Sequence, residues 1–381
     1  MSELPADVVT DILSRLSVAT LLRFRCVSKP WCALIDGSDF IKFHLKRSIE
    51  TKNNLSIIFR DGIGLYTIDF EWLDEAVKLD TPLEFKDCEI EVSGSCNGLL
   101  CLSNIEQDIV LWNPSTRKCK KLPVTPIGFP RGFSILDTCP FIVYGFGHDV
   151  VNDEYKVVRM VQYYVQDNDS FDSEVKVYNL KSNSWRRIPD FPYYLCQYEV
   201  DGILAGGALH WVVSRKPKPA TANLIAGFDI GTEEYRLVPQ PEYVDKKFLM
   251  NIGVLGECLC ILCNYYLVGV HIWVMKEYGV KESWTKLFSV VQPIVTRSFR
   301  YVWPRLIAYS KSRREVLLAL DYDGLFWYDL KKKTIKNVRI PDMSYPFLWD
   351  ICFRSLVPLG SNGGSDTREL KEKEEEEEII Y

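Results

Sequence analysis

The sequence predicts a small all-α segment followed by an all-β propeller and a disordered acidic tail. Apolar residues follow a helical period up to about residue 45, and beyond it they form short runs divided by Gly, Pro, Asn and Asp. Aromatic landmarks then recur along the second part at a spacing typical of four-stranded blades. These three observations place helices first and antiparallel sheets after them.

The first helix begins at Pro5 and carries an apolar stripe. Proline suits the first helical position because its missing N–H would be unpaired there, and Asp7 complements the positive end of the helix dipole. Val8, Ile12 and Leu16 recur at every fourth residue and line one side of the helix. Neighbouring apolar residues widen this stripe beyond what the helix could bury by itself.

Three further short helices follow at once. Ser17 and Ser28 are predicted to cap the second and third helices, and Ser38 or Asp39 the fourth. Four short helices in so short a segment cannot enclose all of their apolar side chains, so the surplus predicts a partner protein. The alternative is a helical cap that packs only against the rest of its own chain.

This amino-terminal segment resembles the F-box. The matching positions, at the family's spacing, are Leu4-Pro5, Asp7, Val8, Ile12-Leu13, Leu16, Leu21-Leu22, Cys26-Val27-Ser28-Lys29, Trp31 and Leu34-Ile35. The resemblance implies that the helices bind the adaptor Skp1, which connects F-box proteins to a cullin-RING ubiquitin ligase. The predicted Skp1-binding set is Leu4, Pro5, Ile12, Leu13, Leu16, Leu21, Leu22, Cys26, Val27 and Trp31.

The second part of the chain is an imperfect repeat of β-strands. Its aromatic landmarks are separated by 46, 66, 50, 45 and 54 residues, which suits one blade of about four strands per repeat. The landmarks are Tyr66, Trp112, Tyr178, Phe228, Trp273 and Trp327. They predict six blades, and the long step after Trp112 leaves room for a seventh. Only the stretch from Trp72 to Leu79 carries a helical pattern here.

An Asn or Asp lies one or two residues after four of these aromatic landmarks, and each predicts a hairpin turn. The four residues are Asn113, Asn179, Asp229 and Asp329. Side chains of Asn and Asp stabilise turns by hydrogen bonding to the backbone a short distance along the chain. We therefore interpret these residues as turn formers.

The all-β part resembles the F-box-associated, kelch-like domain of plant F-box proteins. The likeness rests on the segments SCNGLLCL (95–102), WNPSTRK (112–118) and YGFGHD (144–149). Details at VVRMV (157–161) and WVMKEY (273–278) are most similar to the constitutive-expresser-of-pathogenesis-related-genes type, whose members restrain plant immunity by promoting turnover of intracellular immune receptors. The predicted domains are the F-box at 1–47, the propeller at 48–360 and the acidic tail at 361–381.

The formal net charge of −5 lies entirely in the tail. Residues 361–381 hold eight acidic and three basic side chains, so the rest of the chain is neutral overall. A neutral domain lacks the basic surface that nucleic acid requires, so we expect no nucleic-acid partner. The sequence shows no secretory leader and no apolar run long enough to span a bilayer. We therefore expect a soluble protein of the cytoplasm and nucleus, with reduced cysteines.

The strongest candidate for a metal site is the cluster of Cys258, Cys260 and Cys263. Cys258 and Cys260 share one face of a predicted strand, but only His271 lies nearby as a fourth ligand for zinc. Buried core thiols are the favoured interpretation, and we expect no metal, no cofactor and no catalytic residue. The resemblance implies that none is needed, because the cullin-bound RING and its E2 carry the transfer chemistry while the receptor supplies proximity.

The sequence therefore predicts the substrate-recognition subunit of an SCF ubiquitin ligase, with Skp1 on the helices and a target protein on the propeller. An intracellular immune receptor is the target that the resemblance implies. The predicted target contacts are exposed aromatic residues, with packing inside a blade as the alternative: Tyr163, Tyr164, Phe191, Tyr193 and Tyr194. Two other functions stay open, namely a propeller enzyme acting on a glycan or small metabolite, and a scaffold that binds Skp1 without promoting degradation.

Overall fold

The computed structural model forms two compact units. One comprises Met1–Leu122 and Arg339–Tyr381, and the other Pro123–Val338. The residues that the structure describes are 5–62, 64–82, 90–104, 108–128, 140–165, 170–196, 201–217, 223–265, 268–291, 304–320, 324–341, 343, 346–360 and 365–366.

Four helices open the first unit, as predicted. They are α1 Ala6–Ser14, α2 Val18–Phe24, α3 Lys29–Ile35 and α4 Ser38–Thr51. None of the helices in the described part of the chain has the length and apolar character needed to cross a bilayer.

The predicted caps of α2 and α3 are confirmed. The Ser17 and Ser28 hydroxyls each accept a hydrogen bond of 3.3 Å from the backbone N–H three residues later. The predicted cap of α4 at Ser38 or Asp39 is wrong. Gly37 occupies the capping position there, and no side chain caps the first turn.

The described residues after α4 form strands and one short 3₁₀ turn at Lys281–Ser283. The strands are β1 Leu55–Asp61, β2 Gly64–Asp69, β3 Ala76–Lys78, β4 Glu91–Cys96, β5 Leu99–Ser103, β6 Ile109–Asn113, β7 Lys118–Lys121, β8 Phe141–Asp149, β9 Glu154–Val165, β10 Ser170–Asn179, β11 Ser184–Ile188, β12 Tyr194–Leu195, β13 Ile203–Ala205, β14 Ala208–Ser214, β15 Leu224–Asp229, β16 Tyr235–Leu237, β17 Leu249–Leu255, β18 Cys258–Tyr265, β19 Gly269–Met275, β20 Trp284–Val291, β21 Arg305–Tyr309, β22 Glu315–Leu320, β23 Gly324–Asp329, β24 Ile335–Val338, β25 Pro346–Phe353 and β26 Ser365–Asp366.

These strands pair antiparallel in six sheets. In the first unit, sheet 1 has the order β25-β1-β2-β3 and sheet 2 the order β26-β7-β6-β5-β4. In the second unit, sheet 3 has the order β11-β10-β9-β8, sheet 5 the order β17-β18-β19-β20 and sheet 6 the order β21-β22-β23-β24. Sheet 4 has the order β12-β14-β15-β16, and β13 also pairs with β14. The fold class is therefore a four-helix segment followed by a six-bladed β-propeller.

The last long strand completes the first sheet. β25 pairs antiparallel with β1, with Ile351 opposite Ile57. A strand from near the carboxyl terminus therefore fills the edge of a blade whose other three strands come from the start of the all-β part. This pairing removes one open strand edge that would otherwise be available for aggregation.

Each aromatic landmark lies on an interior strand of its sheet. Tyr66 lies on β2, Trp112 on β6, Tyr178 on β10, Phe228 on β15, Trp273 on β19 and Trp327 on β23. The spacing therefore reported the blade repeat correctly, and the described residues hold no seventh sheet.

Part of the 66-residue interval between Trp112 and Tyr178 is a segment that lies against sheet 3. The Arg159 guanidinium donates to the carbonyl oxygen of Thr125 at 2.6 Å, and Lys176 Nζ donates to that of Pro126 at 2.6 Å. The Trp185 indole donates to the carbonyl oxygen of Pro123 at 2.8 Å. Side chains of the sheet thus satisfy backbone groups that have no strand partner.

The helix predicted from Trp72 to Leu79 is absent from the structure. Trp72 lies in a turn and Leu73 has a positive φ of 51°. Residues 76–78 form β3, where Val77 lies opposite Thr67 of β2. Pairing with a neighbouring strand outweighs the local pattern, because β structure depends on its cross-strand contacts.

The predicted turn chemistry is confirmed at three of the four positions. Side-chain oxygens of Asn113, Asp229 and Asp329 each accept hydrogen bonds from the backbone N–H groups two and three residues later. Asn179 differs, because its amide donates to the Glu154 carboxylate at 3.0 Å. Its side chain therefore ties the turn to the preceding strand.

Neighbouring sheets of the second unit pack closely face to face. Apolar side chains of sheets 3 and 4 form one buried cluster, and those of sheets 5 and 6 form another. Gly145 on β8 shows how tight the first of these is, since a Cβ built on it would lie 2.5 Å from Leu209 Cδ1 on β14. A larger residue at position 145 would therefore require the Leu209 side chain to move.

Candidate protein-docking surface on the amino-terminal helices

The four helices enclose a small apolar core. Its buried members are Leu13, Val18, Leu21, Ile35, Phe40 and Leu356. Leu356 follows β25, so a residue from the carboxyl-terminal part of the first unit completes the helical core. The helices therefore pack partly on the rest of their own chain, whereas the alternative interpretation of the sequence required that they pack only there.

This packing still leaves apolar side chains uncovered on α1. Val8 is 40% exposed and Ile12 is 48% exposed. The two residues are four apart and so lie on the same face of the helix, away from buried Leu13. Pro5, at the start of the helix, is exposed as well.

A second group of exposed apolar residues lies elsewhere on the helical segment. Val27, in the connection between α2 and α3, is 62% exposed, and the neighbouring Cys26 is also exposed. Phe43 on α4 is 43% exposed. We refer to Pro5, Val8, Ile12, Cys26, Val27 and Phe43 together as the docking set.

Ion pairs hold α1 and α4 together beside these residues. The Asp11 carboxylate lies 2.7 Å from Arg15 Nη2 and 2.9 Å from Arg47 Nη1 on α4. Hydrogen bonds from Arg15 and Arg47 lower the pKa of Asp11, which keeps it charged at neutral pH. These exposed pairs orient the helices but contribute little to stability.

A buried histidine fixes the end of α1 against α4. His44 Nε2 lies 2.9 Å from the carbonyl oxygen of Leu16, and its ring stacks on Phe40 at a centroid distance of 6.1 Å. Burial lowers the pKa of His44, so the neutral imidazole donates this hydrogen bond. The chain leaving α1 therefore has a defined position.

The members of the predicted Skp1-binding set differ in solvent exposure. Its exposed members are Pro5, Ile12, Cys26 and Val27. Its half-buried members are Leu16, Leu22 and Trp31. Leu4 lies outside the described residues. Leu13 and Leu21 are buried in the helical core, at 1% and 0% exposed, and contact of either with Skp1 stays a prediction.

Two members of the docking set, Val8 and Phe43, are absent from the predicted Skp1-binding set. Val8 could have been found, because it shares a helical face with Ile12 at a spacing of four residues. Phe43 gave no such signal, because α4 carries apolar residues on more than one side and only packing decides which are covered. For the exposed members, contact with Skp1 stays a prediction.

The predicted target contacts on the propeller are mostly interior. Tyr163, Phe191 and Tyr194 are at most 5% exposed, whereas Tyr164 and Tyr193 are half-buried. The Tyr163 hydroxyl donates to the carbonyl oxygen of Gly128 at 3.0 Å, and burial raises the pKa of Tyr163 to about 12. The three interior residues are therefore buried by packing within the propeller, which was the alternative interpretation, and their contact with a target stays a prediction.

Other side chains of the propeller are exposed instead. Trp72, in the turn before β3, is 73% exposed. Val150 and Val151, at the tip of the β8–β9 hairpin, are 79% and 88% exposed. No sequence pattern distinguishes these turn residues from core residues, since their exposure depends on where the turn points.

Cys258, Cys260 and Cys263 are not grouped as ligands of a metal ion in this structure. Cys260 and Cys263 are buried, and burial raises the pKa of both thiols, that of Cys263 to about 12. His271 lies opposite Cys263 in the pairing of β18 with β19. In the part of the chain that the structure describes, no three His, Cys, Asp or Glu side chains are grouped so that they could hold a metal ion.

Two protein-family models match the chain, and together they span the helices and the sheets. The model described as the F-box domain matches residues 1–43. The model described as the F-box associated beta propeller domain matches residues 57–358.

Curated proteins of Arabidopsis thaliana are similar over nearly the full length. F-box protein CPR1 is 41% identical, with 99% of this chain and 93% of the relative covered. F-box protein At4g22390 is 34% identical, with 95% and 92% covered. F-box/kelch-repeat protein At3g23880 is 29% identical, with 85% and 90% covered.

Proposed function

The chain belongs to the F-box proteins that carry an F-box associated β-propeller domain, and on that basis we propose that it is the substrate-recognition subunit of an SCF ubiquitin ligase. The docking set binds a Skp1-like adaptor, and the propeller binds the protein to be ubiquitinated. The cullin-bound RING and its E2 carry out the transfer. This chain contributes proximity, which raises the effective concentration of target lysines at the E2.

One observation carries the adaptor part of this proposal. Val8 and Ile12 on α1 and Val27 in the connection between α2 and α3 are 40%, 48% and 62% exposed, in a helical segment whose other sides are already packed. Burying such side chains against an apolar partner contributes about 25 cal/mol per Å² removed from water. The exposed apolar residues therefore favour association of the helical segment with another protein.

The target contacts remain on the propeller, but with different residues from those in the aromatic set. Trp72 and the Val150-Val151 pair are exposed in turns, where binding residues commonly lie. Tryptophan is enriched among residues that contribute most to protein binding. Trp72 is therefore the first residue to substitute in a search for lost target binding.

We also propose a class of target protein and the cellular compartment in which it is bound. Similarity to the constitutive-expresser-of-pathogenesis-related-genes type supports an intracellular immune receptor as the target and degradation as its fate. Such a target and the ligase would meet in the cytoplasm and nucleus. Proximity labelling in plant cells under proteasome inhibition would identify the bound proteins and test both statements.

Adaptor binding is tested by replacing exposed apolar residues with a charge. Ile12→Asp combined with Val27→Asp should weaken binding of the purified full-length chain to Skp1 by more than about tenfold, a loss of about 1.4 kcal/mol. Ala33→Asp, at an exposed α3 position outside the docking set, is the matched control and should bind normally. Unchanged binding of the double variant would contradict the docking set.

A degradation assay separates the ligase from a scaffold. A cycloheximide chase of a labelled target should show faster turnover with this chain than without it. The Ile12→Asp and Val27→Asp variant should lose that effect while still binding the target. Equal turnover in all three conditions would leave a non-degradative scaffold as the function.

A further inference from the structure

The turns at one end of sheet 6, in the second unit, carry a concentration of exposed basic residues. The β21–β22 turn contributes three of them, and the β23–β24 turn contributes the other three. We call this set the basic turn patch: Lys311, Arg313, Arg314, Lys331, Lys332 and Lys333. All six residues are exposed.

The two turns lie side by side. The backbone N–H of Leu330 donates to the carbonyl oxygen of Arg314 at 2.9 Å. Glu315 lies opposite Asp329 in the pairing of β22 with β23. These two residues are the acidic members of the turn segments 310–315 and 329–334. Six basic residues against two acidic ones leave an excess of four positive charges at this end of the sheet.

Nearby carboxylates neutralise part of this charge. Lys332 Nζ is 4.0 Å from Asp329 Oδ2. Burial raises the pKa of Cys258, Glu257 raises it further and Arg313 lowers it, so Glu257 in the neighbouring β17–β18 turn is close to one edge of the patch. With Glu257 included, six positive charges face three negative ones. The patch therefore keeps a positive field that attracts anionic partners.

The lysines of the β23–β24 turn are not required by the turn itself. The Asp329 carboxylate accepts hydrogen bonds from the backbone N–H groups two and three residues later. Asn113 forms the same hydrogen bonds in sheet 2, where Ser115-Thr116 occupy those positions. Asp229 forms them in sheet 4, where Gly231-Thr232 occupy them. Uncharged residues therefore serve this turn equally well, and the lysines need a different explanation.

The backbone N–H groups that could hold a phosphate group are already used. Those of the three consecutive lysines all donate to Asp329, two of them to Oδ1 and the third to the carbonyl oxygen at 2.8 Å. That of Arg313 donates to the carbonyl oxygen of Ser310 at 2.8 Å. Phosphate sites commonly converge such N–H groups on one anion. The patch offers side-chain charges spread over two turns instead, which suits several carboxylates along a chain.

Nucleic acid and membrane fit the patch less well. Proteins that bind single strands stack the bases on aromatic side chains, and the aromatic residues on the strands of sheet 6 are all buried or half-buried. Stable membrane binding adds apolar insertion or a second anchor to charge. None of the large apolar side chains exposed among the described residues lies on sheet 6. An acidic polypeptide segment requires neither feature.

We propose that the basic turn patch binds a segment of a partner protein that is rich in Asp and Glu and lies across the two turns of sheet 6. The partner is the protein to be ubiquitinated, and this identification rests on the proposed function. Each exposed charge pair is weak and screened by salt, so affinity comes from several pairs together. Complementary charge of this kind chiefly speeds association and selects among partners.

A fluorescently labelled peptide of eight glutamates tests the binding, with the purified full-length chain and no other ligase component. Anisotropy should show saturable binding that weakens several-fold when salt is raised from about 50 mM to about 200 mM. A peptide of eight glutamines should not bind. Absence of saturable binding of the glutamate peptide at the lower salt concentration would overturn the proposal.

Two double variants with the same change of charge locate the site. Lys331→Ser with Lys332→Thr introduces the residues of the β6–β7 turn, so it should fold, and it should bind the glutamate peptide about fivefold more weakly. Lys246→Ser with Lys247→Thr removes two exposed lysines from the segment before β17 and should bind the peptide normally. Equal losses in the two variants would show attraction to charge in general and overturn the proposal.

Both variants should bind Skp1 as the unmodified chain does, because neither changes the docking set. Failure of the peptide to bind would therefore leave the adaptor part of the proposed function standing. Loss of Skp1 binding by Ile12→Asp with Val27→Asp should in turn leave peptide binding unchanged. The two proposals can thus fail separately.

Three further results would assign the patch to another occupant and overturn the proposal. The first is a single strand of eight thymidines that binds more tightly than the glutamate peptide and loses affinity in the Lys331→Ser, Lys332→Thr variant. The second is sedimentation of the chain with phosphatidylserine vesicles that is lost in the same variant. The third is a full-length chain that binds the peptide only after the glutamates at 374–378 are changed to Gln, which would assign the patch to the chain's own acidic tail.

Discussion

Ile12 and Leu13 are neighbours on α1, yet Ile12 is 48% exposed and Leu13 is 1% exposed. Leu13 belongs to the helical core that Leu356 completes, whereas Ile12 belongs to the docking set. One residue therefore stabilises the fold and the next is available to a partner. Substitutions at the two positions should separate stability from binding.

Leu13→Ala should lower the free energy of unfolding by about 3 kcal/mol, because it leaves a cavity in a packed core. Ile12→Ala should change it by less than about 0.5 kcal/mol, because the exposed side chain is lost without a cavity. Urea unfolding of the full-length chain measures both. Equal losses for the two variants would show that Ile12 is also part of the core.

Cysteine alkylation should report the docking set directly. Cys26 is exposed, whereas Cys260, Cys263 and Cys352 are buried and burial raises the pKa of their thiols. Iodoacetamide followed by peptide mass spectrometry should modify Cys26 quickly and the three buried thiols only in urea. Bound Skp1 should protect Cys26. If Cys26 reacts at the same rate with saturating Skp1, it lies outside the interface.

Lys156 should be essential for the stability of the second unit. Its ammonium donates to Asp149 Oδ2 at 2.9 Å, to the carbonyl oxygen of Ile230 at 2.8 Å and to Glu233 Oε1 at 2.9 Å. Burial alone would raise the pKa of Asp149, but hydrogen bonds from Asn152 and Lys156 outweigh it and hold that pKa well below its usual value. The carboxylate is therefore charged and depends on its partners.

Lys156→Met removes the charge and keeps most of the side-chain volume. It should lower the free energy of unfolding by about 3 kcal/mol, because it leaves buried Asp149 without its ammonium. Lys246→Met, at an exposed position, is the control and should have little effect. A loss at position 156 no greater than at position 246 would mean that the buried pair makes no net contribution.

His210 should make stability depend on pH. Burial lowers the pKa of His210 to about 4, and its ring nitrogens lie 3.1 Å from the carbonyl oxygen of Ile203 and 2.7 Å from Tyr278 Oη. The unfolded chain, with a histidine pKa of about 6.5, takes up a proton more readily. Stability contributed by the neutral imidazole is therefore complete above this value and is lost as the pH falls towards 4.

When the pH is lowered from about 7.5 to about 5, this histidine should lower the free energy of unfolding by about 2 kcal/mol. His210→Gln should flatten the pH dependence by that amount, whatever its own stability at neutral pH. Urea unfolding at the two pH values measures the difference. An unchanged slope in the variant would assign the titration to other groups.

Local signals in the sequence were sufficient for much of the fold. The caps at Ser17 and Ser28 and the turns at Asp229 and Asp329 follow from hydrogen bonds within a few residues, so the residue type alone predicts them. The aromatic spacing likewise located an interior strand of every sheet, since the blades repeat a similar strand pattern along the chain.

Predictions that depended on contacts with residues remote in sequence were less accurate than those that depended on neighbouring residues. The stretch at 72–79 was predicted to be helical, but Val77 pairs with Thr67 of β2, a residue outside that stretch. Tyr163 reads as a surface aromatic, but Gly128 from another segment accepts its hydrogen bond and covers it. In both cases the deciding partner lies outside the local window.

By itself, the amino-acid sequence determined four helices, a repeat of six blades and the presence of more apolar surface at the amino terminus than short helices can hide. Only the tertiary structure decided which of those apolar residues remain uncovered, so that Ile12 is exposed while Leu13 is enclosed. The physical reason is that helix and strand formation depend mainly on neighbouring residues, whereas burial depends on side chains brought in from elsewhere. Leu356, from the far end of the chain, closes the helical core and leaves the docking set outside it.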